Sequence, residues 1–150
     1  MKIYAFPSAK LSNIWAAVGA GRWAVSKSEH DAVNKRRATL AADMPIGSFG
    51  VLYLSGQGYT TPFVVTSEPD YIDAEKSVWP EEWYLAFNIK PLGNPSKILT
   101  RADAQQKLPS MGHKGLKSVD DLIYTKGVQT FVPSEIADDD WSVLIGELAI

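Results

Sequence analysis

The sequence predicts an α+β domain built on a strongly bent mixed β-sheet, or a small open barrel, of five or six strands with helices packed around it. Three observations lead to this fold class. Short stretches rich in β-branched, aromatic and aliphatic residues alternate with helix-favouring stretches along the 150 residues. Most of the strand-like stretches are neighbours in the chain, and two of them form a recognisable hairpin. No repeat, low-complexity tract or linker divides the chain, so we expect one domain over residues 1–150.

Five stretches carry the strand pattern, and each is bounded by Gly, Pro, Ser or Asp. They are residues 2–6, 21–26, 49–55, 62–67 and 83–92. The third and fourth stretches flank Ser55-Gly56-Gln57-Gly58, a run of residues that favours a turn. This arrangement predicts an antiparallel hairpin with an irregular loop.

Helix signals lie between these strands. The clearest predicts a helix over residues 29–42, because Ser28 and Asp31 have the spacing of a capping box and Pro45 and Gly47 would end the helix. Weaker signals predict a helix from about Ser12 to Gly19, a short one over residues 102–108, one that starts at Ser118 with Asp121 as its box partner, and a last one that follows Pro133-Ser134 and runs through Trp141 to Leu148.

The composition excludes several kinds of chemistry. The chain has no cysteine, which removes disulfide scaffolds, cysteine-ligated zinc, iron–sulfur clusters and thiol nucleophiles, and its two histidines leave little for a histidine-rich metal site. We therefore expect no cofactor and no bound metal. No apolar run approaches the roughly 20 residues that a bilayer requires, and the N-terminus lacks the layout of a signal peptide. These features predict a soluble, cytoplasmic protein.

The formal net charge of −2 conceals an uneven distribution. Residues 133–150 carry five acidic side chains and no basic one, which leaves residues 1–132 with 15 basic against 12 acidic groups, a net charge of +3. The basic residues form two groups: Arg22, Lys27, Lys35, Arg36 and Arg37 in the first, and Lys97, Arg101, Lys107, His113, Lys114, Lys117 and Lys126 in the second. Such groups are either solvated charges on separate faces or a modest phosphate-binding stripe.

Residues able to support catalysis are few. Only His30 and His113 could act as imidazole bases, and neither lies in a known catalytic motif. Asp70, followed by Asn88 and Lys90, resembles the metal-binding pattern of some nucleases, but Asn88 stands where a second carboxylate would hold the cation. We therefore expect a protein without catalytic residues. A small metal-dependent nuclease that uses Asp70 stays as an alternative.

Tryptophan is the most informative residue type in the sequence. Five occur: Trp15, Trp23, Trp79, Trp83 and Trp141. Packing in the core accounts for Trp15, Trp83 and Trp141, because an indole ring buries a large apolar area. Trp23 and Trp79 instead lie at strand edges beside Gly or Pro, where an aromatic face can line a concave pocket. The sequence therefore indicates a pocket with aromatic walls.

The order of short motifs along the chain is also informative. The first four are Phe6-Pro7-Ser8; Gly21-Arg22-Trp23-Ala24-Val25-Ser26, followed by a helix with Asn34-Lys35-Arg36-Arg37; Gly50-Val51-Leu52-Tyr53-Leu54-Ser55-Gly56, leading into Phe63-Val64-Val65; and Val78-Trp79-Pro80 before the strand from Trp83 to Pro91. A fifth, Leu108 to Lys117, lies where a basic loop would precede the last helix. In this order and spacing, over nearly the whole chain, they resemble the EVE and YTH families of the PUA-like superfamily. Members of these families bind modified nucleobases in an aromatic cage.

The resemblance implies roles for particular residues. Trp23 and Trp79 match the two cage tryptophans that sandwich a flipped base, and Trp83 or Tyr84 would add a further wall. The positions that match base-edge contacts are Ser8, Asn13, Ala24 and Ser26. The candidates for contact with the nucleic-acid backbone are His113, Lys114 and Lys117 in the basic loop, together with Arg22 and Lys27. Removal of either cage tryptophan is expected to abolish selective binding and to leave the fold intact.

These features predict a non-catalytic reader of a methylated or hydroxymethylated base, carried by DNA rather than RNA. The resemblance implies a recognition module of a prokaryotic modification-dependent restriction or defence system, whose nuclease or nucleotide-hydrolysing effector is another domain or partner. Stacking contributes roughly 1–3 kcal/mol per base, and a buried methyl carbon adds about 0.8 kcal/mol. One alternative is an RNA reader of N6-methyladenine or of a modified tRNA base. Another is a protein-interaction domain whose acidic C-terminal helix docks a partner.

Overall fold

The computed structural model of the chain describes residues 1–71, 74–124 and 129–150. Within these ranges the elements are β1 (Ile3–Ser8), α1 (Leu11–Ala20), β2 (Arg22–Ser26), α2 (Asp31–Ala42), β3 (Phe49–Leu54), β4 (Gly58–Val65), β5 (Trp83–Pro91), β6 (Leu99–Thr100), α3 (Arg101–Lys107), α4 (Pro109–His113), a 3₁₀ helix (Val119–Leu122) and α5 (Asp138–Leu148). Lys126, a member of the second basic group, lies outside the described residues. No helix in the described ranges has both the length and the apolar character needed to cross a membrane.

The strands form one curled, mixed sheet in the order β1-β3-β4-β5-β2, with β6 paired to β4. β1 and β3 run parallel, and the other pairings between these strands are antiparallel. The predicted fold class, a bent mixed sheet of five or six strands with helices around it, is confirmed.

The predicted hairpin joins β3 to β4, with Leu54 paired to Gly58 across the turn. Gly56 and Gly58 have positive φ values of 76° and 152°. A Cβ atom on Gly58 would lie 2.1 Å from the carbonyl oxygen of Leu99 in β6. Glycine is therefore required at this position for β6 to pair with β4.

The sheet carries a hydrophobic cluster on each face. Alternate residues of a strand point to opposite faces, and β1 shows this separation clearly. Tyr4 and Phe6 pack in the first cluster, which includes buried residues of α1 and β2, whereas Ile3 and Ala5 pack in the second, which includes residues of α3, α4 and α5. The acidic C-terminal helix and the predicted cage tryptophans therefore belong to different clusters.

Most of the predicted helix and strand bounds agree with the structure to within a few residues, but two expectations are wrong. The Ser28 hydroxyl does not cap α2, because it accepts a hydrogen bond from the backbone N–H of His30, which is itself the N-cap residue. Trp15 is not in the core. It is 44% exposed, because α1 buries the face formed by Asn13, Ile14 and Ala17.

Asp140 connects α5 to α4 from a fully buried position. Its carboxylate accepts hydrogen bonds from the backbone N–H and the hydroxyl of Ser110, at 2.9 and 2.5 Å, and from the backbone N–H of Ala137 at 2.8 Å. We expect Asp140→Ala to lower the free energy of unfolding by about 2–3 kcal/mol, because three donors would lose their acceptor. Urea denaturation checks this, with Asp121→Ala at an exposed site as the matched control. Equal midpoints for the two variants would contradict the expectation.

Candidate functional site

A pocket of about 350 Å³ opens where the end of β1, the start of α1, β2 and the first residue of β5 meet. Its volume lies within the range of small-molecule sites, about 300–1,000 Å³. Six of the eight residues predicted as cage walls or base-edge contacts line it: Ser8, Asn13, Trp23, Ala24, Ser26 and Trp83. The other two, Trp79 and Tyr84, are not among the lining residues.

The junction between β1 and α1 places two of these side chains. The Ser8 hydroxyl donates to the carbonyl of Lys10 at 3.1 Å and accepts from the backbone N–H of Lys10 at 3.3 Å. The backbone N–H of Asn13 donates to the same carbonyl at 3.2 Å. These local bonds turn the chain from strand to helix within a few residues, so that Ser8 and Asn13 meet at the pocket.

An irregular pairing of β2 with β5 shapes the opposite wall. The register shifts between Trp23 and Val25, and Leu85, on the facing strand, has a φ of 55°, which is rare for a residue other than glycine. Trp23 is only 2% exposed, and its indole Nε1 is buried with no hydrogen-bond partner among the described residues. Buried donors in folded proteins normally have an acceptor, so this unpaired N–H is an exception among the described residues.

The tryptophans Trp23, Trp79 and Trp83 form one aromatic cluster. The rings of Trp79 and Trp83 stack with their centroids 4.8 Å apart, and each meets Trp23 edge to face, at 5.8 and 5.4 Å. Two rings that sandwich a base would have to lie parallel and about 7 Å apart. The expected sandwich between Trp23 and Trp79 is therefore absent from this conformation.

Trp79 supports the pocket from behind. It is 3% exposed, and its Nε1 donates to the carbonyl of Asn13 at 3.0 Å. In this structure the Trp79 ring does not line the pocket, because it is stacked on Trp83 and anchored to α1. Trp83, which is half-buried, presents aromatic surface to the pocket together with Trp23.

Glu75 fixes the segment that carries these rings. Its backbone N–H donates to the carbonyl of Trp83 at 2.6 Å. Its carboxylate accepts from the hydroxyl and the backbone N–H of Ser77, at 2.6 and 2.7 Å, and from the backbone N–H of Val78 at 3.2 Å. The Ser77 hydroxyl bond lowers the pKa of Glu75 below its usual value, although desolvation acts in the opposite direction. These bonds hold residues 75–78, immediately before Trp79, against the start of β5.

Arg22 and Tyr84, both predicted to contact the ligand, have partners elsewhere. The guanidinium of Arg22 lies 3.3 Å from the carboxylate of Glu75, and its Nη1 donates to the side chain of Asn88 at 2.7 Å. The Tyr84 hydroxyl donates to the side-chain oxygen of Asn34 at 3.1 Å. Neither residue is among those that line the pocket, and both have hydrogen-bond partners within the fold.

The basic loop, which was predicted to contact the nucleic-acid backbone, has acidic partners. His113 ends α4, and its Nδ1 lies 3.8 Å from the carboxylate of Asp139. The Lys114 ammonium donates to the carbonyl of Glu135 at 2.8 Å and lies 3.8 Å from its carboxylate. Lys117 is exposed. Two of the three side chains are thus engaged with the acidic C-terminal region.

This loop also lies away from the pocket. Ser134, next in the chain to the partner of Lys114, donates to the carbonyl of Ile3 at the start of β1. The pocket is at Ser8, at the other end of that strand, and five residues of strand span roughly 16 Å. Lys27 is exposed and follows the pocket-lining Ser26, so it is the better placed of the predicted backbone contacts.

Comparison with known proteins supports the fold assignment. No known family model matches the sequence, and no curated protein matches it. Among solved structures, the Pho92 YTH domain in complex with m6A is similar with a TM-score of 0.59 and 14% identity, over 97% of this chain and 81% of that one. The YTH domain of Zygosaccharomyces rouxii MRB1, in complex with N6-methyladenosine RNA, is similar with a TM-score of 0.58 and 17% identity, over 97% of this chain and 82% of that one. Human THYN1, an EVE domain in complex with DNA containing 5-methylcytosine, is similar with a TM-score of 0.54 and 10% identity, over 97% of this chain and 96% of that one.

The chain has the YTH/EVE-like fold. The resemblance stated from the sequence motifs is thereby confirmed at the level of the fold. In this YTH/EVE-like domain the pocket lies between β1 and β2, beside the aromatic cluster.

Two cations that the sequence did not assign also line the pocket of this YTH/EVE-like domain. Lys10 pairs with Glu81 at 2.6 Å on the exposed side. Arg37 is 7% exposed, and its Nη1 donates to the carbonyl of Ser26. Arg37 and Ala41 are the buried residues of α2, four positions apart on one helix face, so helical periodicity was the signal that places Arg37 inward.

The residues of the nuclease-like pattern do not form a metal site in the part of the chain that the structure describes. Within residues 1–71, 74–124 and 129–150, no three His, Cys, Asp or Glu side chains converge as they would around a metal ion. The Asn88 side chain accepts a hydrogen bond from Arg22, and Lys90 is exposed. His30, the other candidate base, is an exposed N-cap residue of α2.

Proposed function

We propose that this protein is a non-catalytic reader of a modified nucleobase, which it accepts into the pocket between β1 and β2. The observation that carries the proposal is the pocket itself. It combines aromatic surface from Trp23 and Trp83 with polar groups of Ser8, Asn13 and Ser26, in a volume suited to a small molecule. Solved domains of the same fold include Pho92 with m6A and human THYN1 with 5-methylcytosine DNA, which supports this use of the pocket.

The energetics of base flipping suit such a pocket. Extrusion of a base from a duplex costs a few kcal/mol. Stacking on an aromatic ring returns roughly 1–3 kcal/mol per base. A buried methyl carbon adds about 0.8 kcal/mol, which makes the modified base preferred by roughly four-fold from burial alone.

The proposal extends to the biological context. We assign the modified base to DNA, in line with THYN1, and the protein to the recognition step of a prokaryotic modification-dependent restriction or defence system. The effector in that system would be a nuclease or a nucleotide-hydrolysing protein or domain. An RNA reader of N6-methyladenine, in line with the MRB1 YTH domain, is the alternative within this class.

A binding screen tests the proposed function. Matched DNA and RNA oligonucleotides, unmodified or with one modified base, are titrated into the protein at a stated salt concentration. We expect a preference of at least about four-fold for one modified DNA oligonucleotide over its unmodified match. The same DNA incubated with the protein and Mg²⁺ or Mn²⁺ should stay intact. Equal affinity for all oligonucleotides, or metal-dependent cleavage that Asp70→Asn removes, would contradict the proposal.

A further inference from the structure

One residue of the sheet has a backbone conformation that its side chain disfavours. Leu85, in β5, has a φ of 55°, and it is the one residue other than glycine with a positive φ in the part of the chain that the structure describes. The left-handed region costs free energy for a residue with a Cβ atom, so it persists only where the surrounding structure holds it, often beside functional sites. Leu85 follows Trp83, a residue of the pocket wall, by two positions in the same strand.

The unusual conformation coincides with an extra residue in β5. Trp23 of β2 pairs with Phe87, and the next regular pair is Val25 with Tyr84. The register therefore advances by two positions in β2, from 23 to 25, and by three in β5, from 87 to 84. This is a β-bulge, in which a residue with left-handed backbone is usually glycine. Here the residue is a leucine that is 1% exposed in the first hydrophobic cluster, so burial of its side chain offsets the cost of the conformation.

The extra residue determines which aromatic residue of β5 lies beside the pocket. Trp83 lies opposite Ser26, and both line the pocket. Without the extra residue, each pair beyond the bulge would move by one position, and Tyr84 would lie opposite Ser26 instead. We propose that Leu85 is a positioning residue, whose left-handed backbone conformation places Trp83 rather than Tyr84 in the wall of the pocket. This inference rests on the proposed function and names a positioning residue for the same pocket.

The contacts of the two aromatic residues agree with this role. The Trp83 ring stacks on Trp79, and the Trp83 backbone exchanges hydrogen bonds with the backbone of Glu75 at 2.6 and 3.3 Å. The Tyr84 hydroxyl lies at α2, where it donates to the side chain of Asn34 at 3.1 Å. The two neighbours in sequence thus have separate partners, and a change of register would remove both sets of contacts.

Packing alone is the other explanation for a buried leucine. Packing depends on the volume and apolar character of the side chain, whereas the bulge depends on whether the residue accepts a positive φ. Isoleucine has the same number of atoms as leucine, but its branched Cβ makes the left-handed region a strong outlier. Glycine accepts a positive φ readily but has no side chain to pack. Substitution therefore separates the two requirements.

The test compares Leu85→Ile and Leu85→Gly with the wild type, and Leu85→Met, which is unbranched at Cβ and similar in volume, is the matched control. The indole N–H signal of Trp83 is measured by NMR in the unbound proteins, with Trp83→Phe to assign it. Binding is measured with DNA that carries one 5-methylcytosine or one N6-methyladenine and with unmodified DNA.

We expect Leu85→Ile to move the Trp83 signal and to weaken binding of the preferred modified DNA by about five-fold to 150-fold, as for the loss of one stacking face. Leu85→Gly should unfold at a lower urea concentration because a buried side chain is lost, but it should keep the Trp83 signal close to that of the wild type and keep the preference. Leu85→Met should resemble the wild type in all three measurements.

A folded Leu85→Ile protein that keeps both the Trp83 signal and the preference would overturn the inference. Loss of the preference in Leu85→Gly would also overturn it, because the effect would then belong to packing. If Leu85→Ile does not fold by circular dichroism, Leu85→Gly decides between these outcomes. A wild-type protein with no preference for either modified DNA would count against the proposed function, whereas the Trp83 signals of the unbound proteins would still test the role of Leu85.

Discussion

Replacement of Trp83 with alanine is expected to abolish selective binding while the domain stays folded. Trp83 is half-buried and lines the pocket, so its ring is the aromatic surface that a base can reach. Loss of one stacking face removes roughly 1–3 kcal/mol, which corresponds to a fall in affinity of about five-fold to 150-fold. The preference for the modified base falls with it, because the methyl group is no longer held against the ring.

Titration of the modified and the unmodified oligonucleotide measures this effect. Trp15→Ala is the matched control, because Trp15 is 44% exposed on α1 and does not line the pocket. The control should bind like the wild type. Retained preference in Trp83→Ala, or an equal loss in Trp15→Ala, would place the binding surface elsewhere.

Replacement of Trp79 with alanine is expected to destabilise the fold by about 3–5 kcal/mol, the usual range for a buried tryptophan. The sequence predicted that Trp79 and Trp23 could be removed without unfolding the protein. The structure changes this expectation, because both residues are 3% exposed or less and Trp79 is bonded to Asn13 and stacked on Trp83. Since domains are stable by only about 5–15 kcal/mol, this loss is a large part of the total stability.

Urea denaturation followed by far-UV circular dichroism checks this second expectation. The Trp79→Ala midpoint should lie well below that of the wild type, whereas Trp15→Ala should differ by less than about 0.5 kcal/mol. A midpoint for Trp79→Ala close to that of the wild type would show that Trp79 is not part of the core. It would also restore the expectation that Trp79 can be removed without unfolding the protein.

The fold was predictable because its signals are local. The turn residues Ser55–Gly58 define the β3–β4 hairpin, and helical composition ending before Pro45 places α2. Trp141 was expected in the core and is there, stacked on Phe49 at 5.1 Å. Trp15 was not predictable in this way, since it depends on which face of α1 meets the sheet. The short helix α4 also escaped prediction, because its five residues include a glycine and no apolar period.

The site was predictable in part, because only some of its residues belong to short motifs that can be recognised in the sequence. Residues at the end of β1 and in β2, such as Ser8 and Ala24, follow from the motif order and do line the pocket. The stacking of Trp79 on Trp83 depends on how the loop before β5 folds back through Glu75, which no short pattern encodes. The distance of the basic loop from the pocket depends on the path of the chain past β1. Long-range contacts of this kind decide which of several candidate side chains meet.

The most direct test of the account follows the indole N–H signals of the five tryptophans by NMR during titration with an oligonucleotide that carries one modified base. Tryptophan-to-phenylalanine variants assign each signal. We expect the signals of Trp23 and Trp83 to shift with the modified oligonucleotide and much less with its unmodified match, while those of Trp15 and Trp141 stay in place. Shifts confined to Trp15 or Trp141, or equal shifts with both oligonucleotides, would contradict a modified base bound in this pocket.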